Sequence, residues 1–464
     1  MDKHRNEAPY VQDGNRTGDA IDSVNIGVYG LGKMGLPVAA VFADTFGGVR
    51  GADIDEAVVD AINRGRSPVQ NEPGLPELVS DCVDSGELTA VVDPNAVASW
   101  ASLHIVIVPT LLDSDDNPDL SIVNSVVDDI ADGLTEGDMV IVESTVPPGT
   151  CRDQIYPKLV EQSGLEPGTF GLAFCPERTA SGSALEDIRR SYPKVVGGID
   201  EASTRTATRI YEQINENDVI AVSDATTAEA TKIYEGLFRD VNIALANEIA
   251  KLSTDIGIDA TEAIDAANSV SFINIHEPGP GVGGHCIPYY PYFVMKPYDT
   301  DTELIQTART VNDEMPVYTV DALQQNLEAT GTLLEDATVV ILGLTYRPEV
   351  RESRASPAIG ISHLLAERGA SVRLVDPLLS DTSSFSGDPM SVSEFSDAEP
   401  DAVVVVTPHA VFETIDWDDF PPMVIVDGRD AIEPETEKHR LYTIGKGVET
   451  TGIAGADDDG HDRK

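Results

Sequence analysis

A chain of 464 residues holds enough material for several domain cores, and its 41% hydrophobic content is ordinary for a globular protein, so the excess of 80 acidic over 31 basic residues belongs to the surface. The formal charge of -49 excludes nucleic acid and anionic lipid as partners, because the long-range field would repel both. An acidic coat of this density fits a halophilic setting, where screening relieves self-repulsion.

Residues 1–23 are polar and charged, with no apolar core resembling a leader, and are expected as a loose extension. Residues 24–29 form a short apolar run into Gly30-Leu31-Gly32-Lys33-Met34-Gly35, and residues 36–46 have helical spacing. Strand, glycine turn and helix in this order predict a dinucleotide fold. Gly30 makes the turn, Gly32 leaves room for a pyrophosphate at the helix N-terminus, and Gly35 lets helix pack on strand. A glycine turn alone fits other βαβ units. Here the second strand ends at Asp53, about 20 residues on, where a carboxylate binds a ribose 2′-hydroxyl. No Arg or Lys follows it closely to take a 2′-phosphate, so the expected cofactor is NAD.

The α/β alternation continues with a strand over 103–108 ending at Pro109-Thr110, a helix over 120–134, and a strand over 139–142 ending at Glu143-Ser144-Thr145. A helix starts near Pro147-Pro148-Gly149-Thr150, and a strand over 171–174 ends at Cys175-Pro176-Glu177-Arg178. Ligands gather beyond the carboxyl ends of parallel strands, so Thr110, Thr145 and Glu177 are expected at a common cleft, although turn and cap chemistry explains such residues equally well. Residues 225–256 read as one long helix carrying Lys232, Gly236 and Arg239 at steps of three and four. A helix of that length is expected to join two α/β halves and to carry a dimer interface.

Residues 279–284 contain four glycines, and His285-Cys286 follows. A thiol on a tight glycine loop suits a nucleophile, and it also suits a small buried apolar residue. The four cysteines at 82, 151, 175 and 286 lack metal-ligand spacing, so neither a disulfide framework nor a metal site is expected and a reducing cytoplasm is the natural home. No apolar run approaches the roughly 18 residues of a membrane span. A second α/β unit follows, with strands over 338–342, 371–375, 402–406 and 424–426 and a helix over 357–367. Its first loop carries Arg347, Arg351 and Arg354, which suit a diphosphate or an ion-pair cluster with Glu349 and Glu352. The fold class is α/β: two Rossmann-like, doubly wound parallel-sheet domains joined by a long central helix with a helical middle domain. The expected boundaries are 24–222, 223–325 and 326–450, with an acidic tail over 451–464.

The blocks Gly30 to Gly35, Ser144-Thr145 with Pro148-Gly149, Cys175 to Arg178, Lys232 to Glu248, Gly279 to Cys286 and Gly343 to Pro357 together resemble the UDP-glucose/GDP-mannose dehydrogenase family, the nucleotide-sugar 6-dehydrogenases. The resemblance covers about residues 24–444. It implies oxidation of a UDP-sugar C6 alcohol to a carboxylate by two NAD in turn, through a thiohemiacetal and then a thioester on Cys286. It places Lys232 beside the reacting oxygen and Thr145 and Glu177 near the hydrolytic water. Arg178, Thr179, Lys232, Arg239, Gly281, Tyr346 and Arg347 are implied around the sugar nucleotide, and Gly30, Gly32, Lys33, Met34, Gly35, Asp53, Thr110, Thr145 and Arg354 around NAD. Two positions depart from the family pattern: Gly236 stands where an asparagine is usual and Tyr290 where an aspartate is usual. Tyr290 is expected to fill the room left by Gly236, with water activation falling to Glu177 and Thr145. The run over 238–244 and the Cys-Pro-Glu-Arg block are similar to the N-acetylhexosamine branch. UDP-N-acetylmannosamine is therefore the expected substrate, with Arg239 on its acetamido group, ahead of UDP-N-acetylglucosamine and UDP-glucose. Other readings are an inactive nucleotide-sugar-binding relative and a two-electron hydroxyacid-type dehydrogenase, which would lack the cysteine loop.

Overall fold

The computed structural model describes residues 8–11, 24–434 and 438–448. The chain divides into two compact units, residues 1–235 with 292–300, and residues 236–291 with 301–464. Residues 223–325, expected as a middle domain, are shared between them.

In the first unit, β1 (Ile26–Tyr29), α1 (Gly35–Phe46), β2 (Val49–Ala52), β3 (Leu88–Val91), β4 (Leu103–Val106), β5 (Met139–Val142), β6 (Gly171–Phe174), β7 (Lys194–Gly198) and β8 (Val219–Ala221) follow in order. The strands form an eight-stranded sheet in the order β8-β7-β6-β5-β4-β1-β2-β3. Neighbours run parallel except β6 and β7. Alternate residues of one strand serve opposite faces: Ile26 and Val28, with Met139 and Ile141, enter one core, while Val140 and Val142, with Leu172 and Phe174, enter the other. Such two-sided burial is why these strands read as unbroken apolar runs. Chain order reverses at β1, between β2 and β4, which opens a crevice beyond the carboxyl ends of the strands.

Within residues 8–11, Ala8 is exposed and Tyr10 is buried. Tyr10 is 3% exposed, its N–H donates to the Gly137 carbonyl at 3.0 Å and its hydroxyl to Asp200 Oδ2 at 3.0 Å. Tyr10 is thus anchored inside the stretch expected as a loose extension over 1–23. The rest of that stretch, and the expected tail over 451–464, lie outside the described residues.

A 32-residue helix, α2 (Ala225–Ile256), begins in the first unit and ends in the second. The second unit continues with α3 (Glu303–Asp313), α4 (Met315–Thr330), β9 (Thr338–Leu342), α5 (Pro357–Glu367), β10 (Ser371–Val375), β11 (Asp388–Met390), β12 (Ala402–Val405), β13 (Val424–Asp427), β14 (Arg440–Thr443) and β15 (Gly447–Val448). Its sheet order is β11-β10-β9-β12-β13-β14-β15, parallel up to the final antiparallel pair. β10 and β12 flank β9 as β2 and β4 flank β1, so each unit has its own switch point. Ser356 caps α5 by accepting from the Ala358 N–H, and Pro357 fills the first helical position. No helix among the described residues is long and apolar enough to cross a membrane.

Candidate active site

Of the residues expected to hold a dinucleotide, Gly30, Gly32, Lys33, Met34, Gly35 and Asp53 stand at the β1–α1 turn and the end of β2, Thr110 and Thr145 follow β4 and β5, and Arg354 belongs to the second unit. Gly30 has φ +93°, a turn conformation that side chains resist. A Cβ on Gly35 would stand 1.9 Å from the Gly30 carbonyl oxygen, so helix and turn are in direct backbone contact, whereas a Cβ on Gly32 would meet nothing within 4 Å. The α1 N-terminus has no side-chain cap and no acid in its first turn, which leaves its N–H groups to an incoming anion. Asp53 accepts the Leu31 N–H at 2.8 Å and the Asp55 N–H at 3.0 Å, one on each oxygen, so both oxygens keep accepting capacity for a ribose hydroxyl. The Thr110 hydroxyl is buried without a hydrogen-bond partner. Lys33 is exposed, and Met34 directs its sulfur to the Thr179 hydroxyl at 3.0 Å. Ile54, 92% exposed beside Asp53, adds an apolar surface for a base that no motif announced. This set fits NAD.

The loops beyond β5 and β6 are held by α2. Residues 229, 232 and 235 lie three apart on one helix face. Glu229 accepts the Gly149 N–H at 2.5 Å and the Cys151 N–H at 2.7 Å, fixing the loop after Thr145. Its carboxyl is pushed up to about 7 by burial, against the opposing pull of the Cys151 and Gly149 donors. Lys232, 8% exposed, donates to the Glu177 carbonyl and lies 3.8 Å from Glu177 Oε2. The other Glu177 oxygen takes the Thr179 N–H and hydroxyl. Arg178 donates to the Pro193 carbonyl at 2.8 Å and pairs with Glu235 at 2.5 Å. Thr145 is half-buried, and the preceding Ser144 hydroxyl accepts the Val108 N–H at 2.8 Å, tying the β5 end to the β4 end. Behind Glu177, Arg178 and Thr179 lies a cavity of about 30 Å³, also lined by Glu143, Lys194 and Tyr211. Buried Glu143 pairs with Lys194 at 2.8 Å and receives the Tyr211 hydroxyl. Lys232, Glu177, Thr179 and Arg178 thus lie together; Glu229, Glu143 and Lys194 had no role assigned from sequence, because single acids and lysines carry no spacing signal.

In the second unit the cysteine loop is anchored at both ends. The Gly279 N–H donates to Asn247 Oδ1 at 2.9 Å, Asn247 to Asn312 at 2.9 Å, and Asn312 to Asp240 at 2.9 Å. Arg309, 4% exposed, completes this chain by pairing with Asp240 at 2.5 Å. Gly284 has φ +93° and donates to the Arg354 carbonyl at 2.8 Å, and a Cβ there would stand 3.0 Å from the Tyr346 ring. Gly281 lies against Pro357, so the glycines also serve contact between two loops. Cys286 is exposed, while Cys82, Cys151 and Cys175 are buried, with burial raising each of those thiols. The alternative of Cys286 as a buried apolar residue is therefore corrected. The imidazole of His285 pairs with Glu352, and Glu349 lies 3.5 Å from His409, so both acids considered as arginine partners have other contacts. Arg347 is exposed, Arg351 donates to the Leu378 carbonyl at 2.7 Å, and the Arg354 guanidinium lies 5.7 Å from the Tyr289 ring centre. Burial, then Glu352, raises the Tyr346 hydroxyl.

Tyr290 fills the room at Gly236 as expected: a Cβ there would lie 2.3 Å from Tyr290 Cδ2 and 3.0 Å from its Cβ and Cγ. A glycine inside a helix costs about 1 kcal/mol relative to alanine, a cost that this ring contact explains. Arg239 is exposed beside His276, whose imidazole is lowered by burial and then by Arg239. His276 Nε2 is buried without a partner, and its ring packs edge-on against Phe238 at 5.8 Å. No motif pointed to it.

Three profiles of one family match the chain in order: the UDP-glucose/GDP-mannose dehydrogenase family, NAD binding domain over residues 24–215, central domain over 226–314 and UDP binding domain over 340–434. The UDP-N-acetyl-D-mannosamine dehydrogenase of Methanococcus aeolicus is 36% identical over 396 residues, 85% of this chain and 86% of its own length. That of Methanococcus maripaludis is 34% identical over 434 residues, 91% of this chain and 96% of its own. The solved UDP-D-ManNAc dehydrogenase from Pyrococcus horikoshii superposes with a TM-score of 0.85 at 32% identity, covering 91% of this chain and 99% of that one.

Proposed function

The chain belongs to the UDP-glucose/GDP-mannose dehydrogenase family and is an NAD-dependent nucleotide-sugar dehydrogenase, and from that premise we propose that it oxidises the C6 alcohol of UDP-N-acetyl-D-mannosamine to the uronate. The observation that carries this reading is Cys286, the exposed thiol among buried ones, held on the glycine turn. NAD, when bound, supplies the hydride acceptor for both oxidations. Lys232 stabilises oxygen anions at the reacting carbon through its ammonium. The Cys286 thiolate adds to the C6 aldehyde, giving a thiohemiacetal; oxidation of this adduct leaves a thioester. Glu177 and Thr145 orient the water whose addition expels the thiolate and frees the uronate. Gly30, Gly32, Lys33, Met34, Gly35, Asp53, Thr110 and Arg354 hold the cofactor; Arg178, Thr179, Gly281, Tyr346 and Arg347 hold the sugar nucleotide.

Arg239, with His276 at its side, reads the acetamido group. The names of the relatives support the mannosamine branch. The test compares kcat/KM on UDP-N-acetylmannosamine, UDP-N-acetylglucosamine and UDP-glucose. UDP-N-acetylmannosamine is expected to lead by at least about tenfold, and Arg239→Ala to lose about that factor on the acetamido sugars alone. An equal loss on UDP-glucose would remove Arg239 from this role.

The working form is a homodimer in a salt-rich, reducing cytoplasm. Phe238, Leu245 and Leu252, exposed at seven-residue steps along α2, support a two-fold contact along that helix. Four free cysteines support the reducing compartment. Light scattering checks the dimer: Leu245→Asp is expected to give monomers, and an unchanged mass would move the interface elsewhere.

A further inference from the structure

The Gly236–Tyr290 contact lies four residues from the nucleophile, and backbone hydrogen bonds connect the two. The Cys286 carbonyl accepts the Tyr289 N–H at 3.1 Å and the Tyr290 N–H at 2.9 Å, so Cys286 opens a short helical turn that Tyr290 closes. Tyr290 is 8% exposed, with its ring and Cβ against the bare backbone of Gly236 on α2. On the other side of Cys286, Gly284 is bonded to Arg354 and His285 pairs with Glu352. The thiol is therefore suspended between two fixed points, one on the loop over 346–357 and one on the long helix. Any side chain at 236 would displace the ring, and the ring's backbone carries the hydrogen bond to Cys286.

We propose that Gly236 and Tyr290 form one interlocking positioning pair, a glycine notch and the ring seated in it, that sets where the Cys286 thiol stands. The proposal rests on the reading of Cys286 as the nucleophile and adds to it the residues that aim it. The pair acts through shape, so its two members are coupled: the consequence of a side chain at 236 depends on a ring at 290.

The test is a double-mutant cycle of Gly236→Ala, Tyr290→Ala and the double variant, read by kcat, KM, and the rate of Cys286 alkylation by iodoacetamide. Alkylation needs neither cofactor nor sugar and reports one site, since the other three cysteines are buried. Gly236→Ala is expected to lower kcat about tenfold or more, to change the alkylation rate about fivefold, and to leave KM within about twofold. In the Tyr290→Ala background the same change at 236 is expected to alter kcat and alkylation by less than about twofold. Independent, multiplicative effects at the two positions would overturn the proposal, as would a Gly236→Ala variant that matches the wild type in both readouts. If Gly236→Ala is too unstable to isolate, the double variant is expected to fold, because removing the ring removes the clash; a double variant equally unable to fold overturns the proposal. Cys286→Ser separates the two claims: retained uronate formation would reject the nucleophile, while the alkylation cycle in the Cys286 protein still decides the pair.

Discussion

At the scale of the residue, the chemistry divides between groups that motifs announce and groups that only packing reveals. Cys286, Lys232 and Glu177 stood out because each sits in an unusual sequence context: a glycine run, a lysine in an acidic chain, and the end of an apolar strand. Glu177 is given the work of directing water, so Glu177→Gln is expected to slow uronate release by about two orders of magnitude and to leave a thioester on Cys286, visible as added mass on the intact protein. Prompt release by that variant would reject the role. Glu229 was illegible, because a buried acid on a helix has no pattern of its own. Its carboxyl titrates at about 7 in the folded protein, above the ordinary glutamate value, because burial disfavours the charge. The folded state therefore binds the proton more tightly than the unfolded chain does. The stability this contributes is fully present below about pH 4.5 and is lost as pH rises through about 7. Glu229→Gln should flatten the fall in stability between pH 5 and 8 by about 2–3 kcal/mol, measured as a difference from wild type in denaturant titrations. Identical pH slopes in the two proteins would contradict this assignment.

At the scale of the element, the two sheets repeat one plan and use it differently. Asp53 at the end of β2 and Asp376 at the end of β10 each accept the N–H of a leucine that follows a turn glycine, Leu31 at 2.8 Å and Leu344 at 2.7 Å. Asp53 keeps free capacity. Asp376 also takes the Thr345 N–H at 3.2 Å, His409 at 3.2 Å, and the Leu378 and Leu379 N–H groups at 2.8 and 2.9 Å. Burial works against its charge, yet His409 and these donors hold the carboxyl below the usual range. Asp53→Ala should weaken NAD binding by about tenfold or more with little change in stability, whereas Asp376→Asn should cost about 2 kcal/mol of stability and leave NAD affinity alone. Calorimetry and ligand titration on both variants check this; an Asp376→Asn variant that binds NAD poorly would refute the division. The central strands and α2 were legible because apolar runs and three-four spacing persist across them. β7 was not: its Lys-Val-Val-Gly-Gly sequence ends in glycines and reads as loop until neighbours fix it. β8 has three residues, two of them exposed, and offers no period at all. α3 and the start of α4 fall inside the stretch over 223–325 expected to be helical, but the sequence alone set no bounds for either.

At the scale of the whole molecule, the charge sets the conditions under which the rest operates. With 80 acids and 31 bases, local ion pairs cannot neutralise the surface, and self-repulsion must be screened by the solvent. At about 0.1 M salt the screening length is about 10 Å, too long to separate neighbouring acids on such a coat. Transfer from molar potassium chloride to dilute buffer is expected to lower the melting temperature by about 10 °C or more; an unchanged melting curve would remove the halophilic reading while leaving the chemistry intact. In the function proposed, one chain carries a sugar alcohol through two oxidations, first to the aldehyde and then, as a Cys286 adduct, to the thioester. The yield of NADH, in strong salt, from a limiting amount of UDP-N-acetylmannosamine decides between one oxidation and two. Two NADH per sugar, with a uronate as product, is the result predicted here. One NADH with an aldehyde, or none with the sugar nucleotide still bound, would contradict it.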